Sequence, residues 1–311
     1  MSGKTVQLAP MLGLIDIPFI KFLSKIGGFD EMFLPYMLAD EKSLAHRRVL
    51  RQRLAGIDNR EIIVPQLLSN SAVGFVHFAN EFYELGCQKV NWNMGCPQPF
   101  VTERNRGAAM LRDLESTKAL LEAVLPKMKP KLSVKIRLGY NTAEEFPAIV
   151  EMFNCFEISE LIVHARTAVQ QYSGEADRTT FIAGASKSRN EVVYNGDIFS
   201  VSDVQDIQLS NLKGFMVGRG AIANPFIGLQ IKGEECGDKP ARFREFCLDI
   251  QNWYFERGTL GSFNRLKELW KYFSKAFKLE NEVFAQLREV EDWQAFEQAV
   301  SRIFADYEMV L

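Results

Sequence analysis

The sequence predicts an α/β fold, a closed parallel (β/α)8 barrel followed by a C-terminal helical domain. Three observations carry this. Short apolar, β-branched runs recur at residues 5–9, 31–35, 61–66, 89–93, 132–137, 160–164, 191–195 and 213–217. They begin roughly 25–45 residues apart, the length that a strand and its returning helix occupy in a parallel sheet. From about residue 240 the runs stop and helical periodicity alone remains. A doubly wound sheet is the rival, but no Gly-x-Gly-x-x-Gly follows the first run. Eight units favour closure.

Between the runs, apolar residues recur at helical spacing. Phe19, Phe22, Leu23 and Ile26 form one such face, and Phe75, Phe78, Ala79 and Phe82 the next. Leu114, Leu120, Leu121 and Val124 follow, then Phe146, Ile149, Val150 and Phe153. Beyond the barrel, Phe243, Phe246, Ile250, Trp253 and Tyr254 share a face, as do Leu266, Trp270, Phe273 and Phe277. Trp293, Phe296, Val300, Ile303 and Phe304 make a third. The expected organisation is therefore a barrel over residues 1–235 and a helical domain over 240–311, with 233–239 as linker.

Composition sets the class. The 311 residues are 47% hydrophobic and 24% charged, enough for a large domain with a smaller one beside it. No apolar run approaches the ~18 residues needed to span a membrane. No secretory signal is read at the start, where Asp16 breaks the apolar stretch. The five cysteines are scattered without a Cys-x-x-Cys or Cys/His cluster, which fits a reducing cytoplasm and no structural zinc. A net charge of -2 gives the whole chain no bias toward nucleic acid, so such binding requires a local patch.

Active sites of such barrels lie at the carboxyl ends of the strands. There the sequence places Ala9-Pro10-Met11, Gln66, Asn93 and then Cys96 on a Gly-Cys-Pro turn. Lys135 and Arg137 stand two apart, hence on one face of their strand. His164-Ala165-Arg166-Thr167, Asn195-Gly196-Asp197 and Gly218-Arg219-Gly220 complete the ring. Strands seven and eight are where these barrels usually hold a phosphate. Gly196, Gly218 and Gly220 allow close approach of backbone amides, and Arg219 offers a fork of donors. Each residue also has a plain reading. Cys96 alone is either packed or reactive, whereas Cys87, in an apolar run, belongs to the core. Lys135 is either paired with a strand carboxylate or holds an anion. His164 is either a satisfied core residue or a ligand contact. Gly-Arg-Gly is either a phosphate cradle or a tight turn into a helix.

Two basic clusters stand apart from this ring. Between residues 257 and 278, Arg257, Arg265, Lys267, Lys271, Lys275 and Lys278 face only Glu268, a local charge of +5 (6 minus 1). Lys267, Lys271, Lys275 and Lys278 fall on one helical face, where unrelieved like charges repel unless an anion visits. His46-Arg47-Arg48, with Arg51 and Arg53, is placed on the second helix.

Taken together, Ala-Pro-Met at 9–11, Gln66, Asn-Met-Gly-Cys-Pro at 93–97 and Val-Lys-Ile-Arg-Leu-Gly at 134–139 resemble the tRNA-dihydrouridine synthases. Val-His-Ala-Arg-Thr at 163–167, Asn-Gly-Asp at 195–197 and Gly-Arg-Gly-Ala at 218–221 continue the likeness in family order. The tail, from Arg265-Leu-Lys267 to Leu287-Arg288-Glu289-Val290, is most similar to the bacterial branch acting on uridine 16.

The resemblance implies a TIM barrel carrying FMN, NADPH as reductant, and a helical domain that helps hold tRNA. It implies Pro10, Met11, Gln66, Lys135, His164, Asn195, Gly196, Asp197, Gly218 and Arg219 as the FMN contacts. Asn93 would line the uracil pocket and Cys96 would be the general acid. Arg137 and Arg166 would meet the substrate or brace the site. Arg47, Arg48, Arg265, Lys267, Lys271, Lys275 and Lys278 are the expected tRNA contacts. A cytoplasmic monomer without membrane or DNA partner is expected.

Departures from the family stand at Ala165, commonly Gly, and at Arg104-Asn105-Arg106-Gly107, where relatives carry more glycine. Tyr36 and Tyr140 also replace more usual residues. These bear on the backbone near the flavin, the mobility of the loop after Cys96 and the rim of the pocket.

The chemistry asks for the same residue types. Saturating the uracil 5,6 double bond needs hydride on one carbon and a proton on the next, and a thiol of pKa near ~8.5 is protonated at neutral pH. One alternative is an FMN barrel reducing a free pyrimidine, as dihydroorotate and dihydropyrimidine dehydrogenases do; it leaves the basic helical face idle. Another is a noncatalytic RNA-binding module, which leaves the strand-end residues idle.

Overall fold

The computed structural model describes residues 3–41, 47–57 and 59–311. The strands are β1 (Thr5–Leu8), β2 (Glu31–Leu38), β3 (Ile63–Leu68) and β4 (Lys89–Asn93). They continue as β5 (Lys131–Arg137), β6 (Glu160–His164), β7 (Val192–Asn195) and β8 (Leu212–Val217). They pair in sequence order, each parallel to the next, and β8 closes on β1. The (β/α)8 barrel expected from the sequence is the observed fold.

Two strands run past their expected ends. β3, expected to end at Gln66, continues to Leu68. β2 does not end at Pro35 but runs on to Leu38. Leu34 pairs with Pro65, yet Met37 already pairs with Leu67, so β2 takes three steps where β3 takes two. The extra residue is a β-bulge. Proline donates nothing to a ladder and is tolerated at such a place, so it marks an irregularity here and not a strand end.

Alternation along the strands divides inside from outside. Ala9, Phe33, Val64, Ile162, Val193 and Met216 form a small apolar cluster of their own, the filling of the barrel. Toward the amino ends of the strands the filling turns ionic. Glu160 is fully buried and takes Lys89 at 3.1 Å and Lys213 at 2.9 Å, while Lys89 also binds Glu31.

Helices cover the outside. Ile17–Ile26 is capped by the Asp16 carboxylate, which accepts from the Phe19 amide. Ala72–Glu84, Leu114–Val124 and Phe146–Phe153 bury the faces read from the sequence.

The C-terminal helices are Lys239–Phe255, Leu260–Phe273, Glu280–Arg288 and Trp293–Asp306. Glu280–Arg288 escaped the periodicity because it buries only Val283 and Leu287. The apolar core runs without a break from the barrel's outer layer into these helices. Phe19 meets Phe246 edge-on at 5.4 Å, and Phe22 meets Trp253 at 6.4 Å. Among the described residues, no helix is long and apolar enough to cross a membrane.

The lysine stripe needs correction. The helix ends at Phe273, Ser274–Ala276 form a 3-10 turn, and Phe277 is extended in an antiparallel bridge to Met309. Lys275 therefore lies in that turn and Lys278 beyond it, 3.1 Å from the Glu308 carboxylate, so only Lys267 and Lys271 of the four stand on the helix. Backbone bonds from Lys278 to Glu308 and from Val310 to Ala276 replace the helical ones. Their partner lies some thirty residues away, so helical periodicity gives no sign of it.

Removing one partner of a buried ion pair strands the others, at about 3–5 kcal/mol. Glu160→Ala leaves Lys89 and Lys213 short of a counter-charge and is expected to lose stability of that order. Chemical denaturation of the variant beside wild type checks this.

Candidate active site

The carboxyl ends of the strands enclose two joined lobes. One is bounded by Asn195, Gly196, Asp197, Gly218 and Arg219, the other by Gln66, Asn93, Cys96 and Arg137. Pro10, Met11, Lys135, His164 and Tyr172 border both. The structure thus gathers the strand-end residues expected from the sequence into one mouth, except Ala165, Arg166 and Thr167.

A ladder of carboxamides sets the second lobe. Asn93 Nδ2 donates to Gln66 Oε1 at 2.8 Å, Gln66 Nε2 to Asn91 Oδ1 at 2.8 Å, and Asn91 Nδ2 to Ser133 Oγ at 2.9 Å. Asn93 Oδ1 in turn accepts the amides of Gly95 at 3.1 Å and Cys96 at 2.9 Å. These bonds fix which way each amide faces and leave Asn93 and Gln66 one N–H each.

Cys96 is half-buried. Burial pushes its thiol up, partly offset by the Gln98 amide, the Tyr36 hydroxyl and the charges of Arg137 and Lys135. The net direction is upward, so the sulfur carries its proton at neutral pH. The loop behind it is packed onto it. Gly107, at φ 59, passes so close that a Cβ there would lie 2.7 Å from the Cys96 carbonyl. The Ala108 amide binds that same carbonyl at 3.0 Å. Arg106 then ties the loop to Asp40 at 2.6 Å and to Asn70 at 3.0 Å. Arg106 is thus an anchor of the loop, whereas the Arg104 side chain bonds the Phe100 carbonyl of its own turn.

The Lys135 carbonyl accepts the Met94 amide at 2.8 Å, but its ammonium has neither a hydrogen bond nor an ion pair to another described residue. Burial, then Arg137, lowers its ammonium to about 7, against a smaller upward pull from Cys96. His164 is held well below its ordinary range by burial and by Arg137, Lys135, Arg166 and Arg219, so its imidazole is neutral. Its Nε2 lies 3.3 Å from Arg166 Nη1, and since arginine only donates, the proton belongs on Nδ1.

Arg137 donates to the carbonyls of Gly95, Thr167 and Gln171 while bordering the second lobe. Arg166 is buried and borders neither lobe. It binds Asp197 through both Nη atoms and takes the Ser173 and Gly174 carbonyls. Asp197 also receives Arg219 at 2.9 Å. Burial raises the Asp197 carboxyl, but Arg166, the Ala176 amide and Arg219 outweigh this and hold it below its usual range.

Ala165 is fully buried in the outer core, away from both lobes. Tyr140 lies under Arg112 at 4.6 Å and borders neither lobe. Gly220 serves packing, because a Cβ there would lie 2.0 Å from the Ile198 carbonyl.

Of the cations expected to meet tRNA, Arg48, Arg265, Lys267, Lys271, Lys275 and Lys278 border neither lobe. Arg48, Lys271, Lys275 and Lys278 are exposed, and Lys267 lies over the Phe263 ring at 5.1 Å. Arg265 reaches the loop after β1, with Nη1 buried and unpaired beside Gly13. Arg47 opens the helix Arg47–Arg53, and its side chain, like His46 entirely, is outside the described residues.

Sequence reasoning missed Asn91, Ser133 and Tyr172. Asn91 and Ser133 stand two before Asn93 and Lys135, so strand alternation points to them. Tyr172 sits on a long loop with no periodicity to betray it, 5.2 Å from Arg219 and 5.6 Å from Arg137.

The family model for dihydrouridine synthase matches residues 7–306. The chain belongs to that family. It is a flavin oxidoreductase that acts on the CH–CH bond of uridine. The tRNA-dihydrouridine(16) synthase of Neisseria meningitidis serogroup B is 30% identical, with 97% of this chain and 94% of that protein covered. The tRNA-dihydrouridine(16) synthase of Haemophilus ducreyi is 29% identical, with coverage of 89% and 88%. The tRNA-dihydrouridine synthase B of Pseudomonas syringae pv. tomato is 29% identical over 72% and 67%. Among solved structures, a variant of NCR from Zymomonas mobilis has a TM-score of 0.50 at 14% identity, covering 71% of this chain and 83% of that one. That is a likeness of fold alone.

Asp197 stabilises the fold while ionised. Its depressed pKa places that contribution above the ordinary carboxylate value of about 4 and removes it as pH falls through the lower folded value. Asp197→Asn is therefore expected to flatten the acid limb of a stability–pH curve and to reduce flavin retention. Urea midpoints taken between about pH 3 and 6, with released-flavin fluorescence, read both.

Proposed function

We propose that the chain reduces the C5–C6 double bond of a uridine in tRNA, with FMN in the joined lobes, NADPH as electron donor and Cys96 as general acid. The observation that carries this reading is the place of Cys96 on a cavity whose shared wall holds Lys135 and His164, with burial pushing the thiol up so that it keeps its proton. Position 16 is the uridine we assign, because the relatives covered over most of their length are named for it.

The residues present fit FMN. Gly218 has no side chain where a Cβ would reach toward Met11 Sδ at 3.1 Å, and Arg219 stands beside it for a phosphate. Lys135 awaits an anion at the junction of the lobes. Gln66 offers its spare N–H, and Pro10 and Met11 offer an apolar wall. Bound FMN supplies hydride equivalents drawn from NADPH.

Everything else is work for the chain itself. The spare N–H of Asn93 and the guanidinium of Arg137 orient a uracil ring in the second lobe. Tyr172 offers an aromatic face beside them. The bonds from Asn93 to the Gly95 and Cys96 amides hold the turn so that Sγ faces the base. The proton leaves Sγ for C5 of the ring. Arg166, buried against Asp197, braces the strand ends and does not touch the base.

The base must leave its stack, at a cost of a few kcal/mol. Phosphate contacts from Arg48 and from Lys267, Lys271 and Lys275 offset that cost. Arg47 and Arg265 join them, and Lys278, already paired with Glu308, contributes less. We assign the protein to the cytoplasm as a monomer.

Cys96→Ala is expected to keep its flavin and lose about 100-fold or more in turnover on natural tRNA. Dihydrouridine mapped by mass spectrometry reads both rate and position. Wild-type turnover in the variant would remove Cys96 from the chemistry, and equal rates on free uridine would overturn the tRNA assignment.

Lys135 gives a separate test. At pH 8 a lysine of pKa about 7 is largely neutral, and a bound anion raises it again. FMN binding to the cofactor-free protein at pH 8 is thus expected to take up nearly one proton, seen as buffer-dependent heat in calorimetry. Lys135→Met should abolish that dependence.

A further inference from the structure

The bulge in β2 has a chemical outcome. The added step falls at Pro35-Tyr36, between the pairs Leu34–Pro65 and Met37–Leu67. Bulges re-aim side chains and recur beside active sites. The Pro35 carbonyl, displaced from the ladder, is held by Arg53 Nη1 at 3.1 Å. Arg53, the last residue of a helix read from sequence as a basic surface, turns inward to do this. Tyr36 borders the second lobe with Asn93, Cys96 and Arg137.

We propose that Tyr36 is a positioning residue for Cys96, its hydroxyl steering Sγ into the lobe and donating a hydrogen bond to the thiolate formed when the proton leaves. The inference rests on the reading of Cys96 as the acid.

The groups facing the sulfur come from three segments: Tyr36 from β2, Lys135 and Arg137 from β5, and the Gln98 amide from the loop after β4. Lys135 stands at the junction of the two lobes and acts on the sulfur through its charge, and Arg137 is engaged by three carbonyls. The Gln98 amide and the Tyr36 hydroxyl are the neutral donors of the set; the amide is fixed in the backbone of the turn, and Tyr36 is the side chain whose hydroxyl bonds the sulfur. Burial, and the charge and bond of Cys96, lift the phenol to about 12, so it keeps its proton while the thiol titrates. The step balances simply. The S–H bond breaks with its electron pair left on sulfur, and a C–H bond forms at C5, on the carbon left electron-rich by hydride addition at C6. Solvent then returns a proton to the thiolate, with Tyr36 holding the sulfur in place meanwhile.

Tyr36→Phe removes only the hydroxyl. The readout is the pH dependence of iodoacetamide alkylation at Cys96, followed by peptide mass spectrometry so that exposed Cys155 does not interfere. The midpoint is expected to rise by about one pH unit, lowering alkylation at pH 8 about tenfold. Turnover should fall by a similar factor, with KM for tRNA and the flavin spectrum unchanged. An unmoved midpoint with a normal spectrum overturns the proposal. If the variant does not fold, protein carrying 3-fluorotyrosine, a more acidic donor, must show a lower midpoint; one that does not move overturns it equally. Normal turnover in Cys96→Ala would defeat the acid reading instead, and that result is separate because the alkylation midpoint is measured without turnover.

Discussion

One oxygen, Asn93 Oδ1, receives the amides of both Gly95 and Cys96, and the reactive turn depends on it. The carboxamide cannot rotate to release them, because its nitrogen is committed to Gln66, whose own nitrogen is committed to Asn91 and through it to Ser133. Flipping any member would set like atoms face to face in a dry interior, where unmade hydrogen bonds are costly. The thiol on the surface loop is thereby referenced to the rigid interior of the barrel. Arg106 and Gly107 complete the hold from the other side.

The two ends of the barrel treat charge differently. At the amino ends Glu31 and Glu160 are answered by Lys89 and Lys213 in a closed ionic layer, which speaks of stability. At the carboxyl ends Lys135, Arg137 and Arg219 share a mouth in which Asp197 is the carboxylate, and His164 is kept neutral by burial and then by the surplus. A chain of net charge -2 thus concentrates positive potential where an anionic ligand is needed.

The sequence made the barrel legible because alternation and spacing are local. The strand ends were legible because they carry polar residues after apolar runs. What escaped depended on partners far along the chain. Pro35 read as a terminator, since a bulge shows only when β3 is laid beside β2. Lys278 read as helical because its pairing with Glu308 lies thirty residues on. Arg166 read equally as substrate contact or brace, and its burial against Asp197 follows from how β6 and β7 end together. Tyr172 lies on an irregular loop, where no period exists to place it.

The irregular step in β2 makes the mouth sensitive to chain length as well as to residue identity. Along a strand, facing inward or outward is a matter of parity, and the extra position at Pro35-Tyr36 changes it for all that follows. Deleting a single residue there would hand the place opposite the sulfur to a different side chain and turn the rest of the strand over. Within this fold, short insertions and deletions at that point are therefore a route by which reactivity at the mouth can diverge while the residues on the other seven strands stay the same.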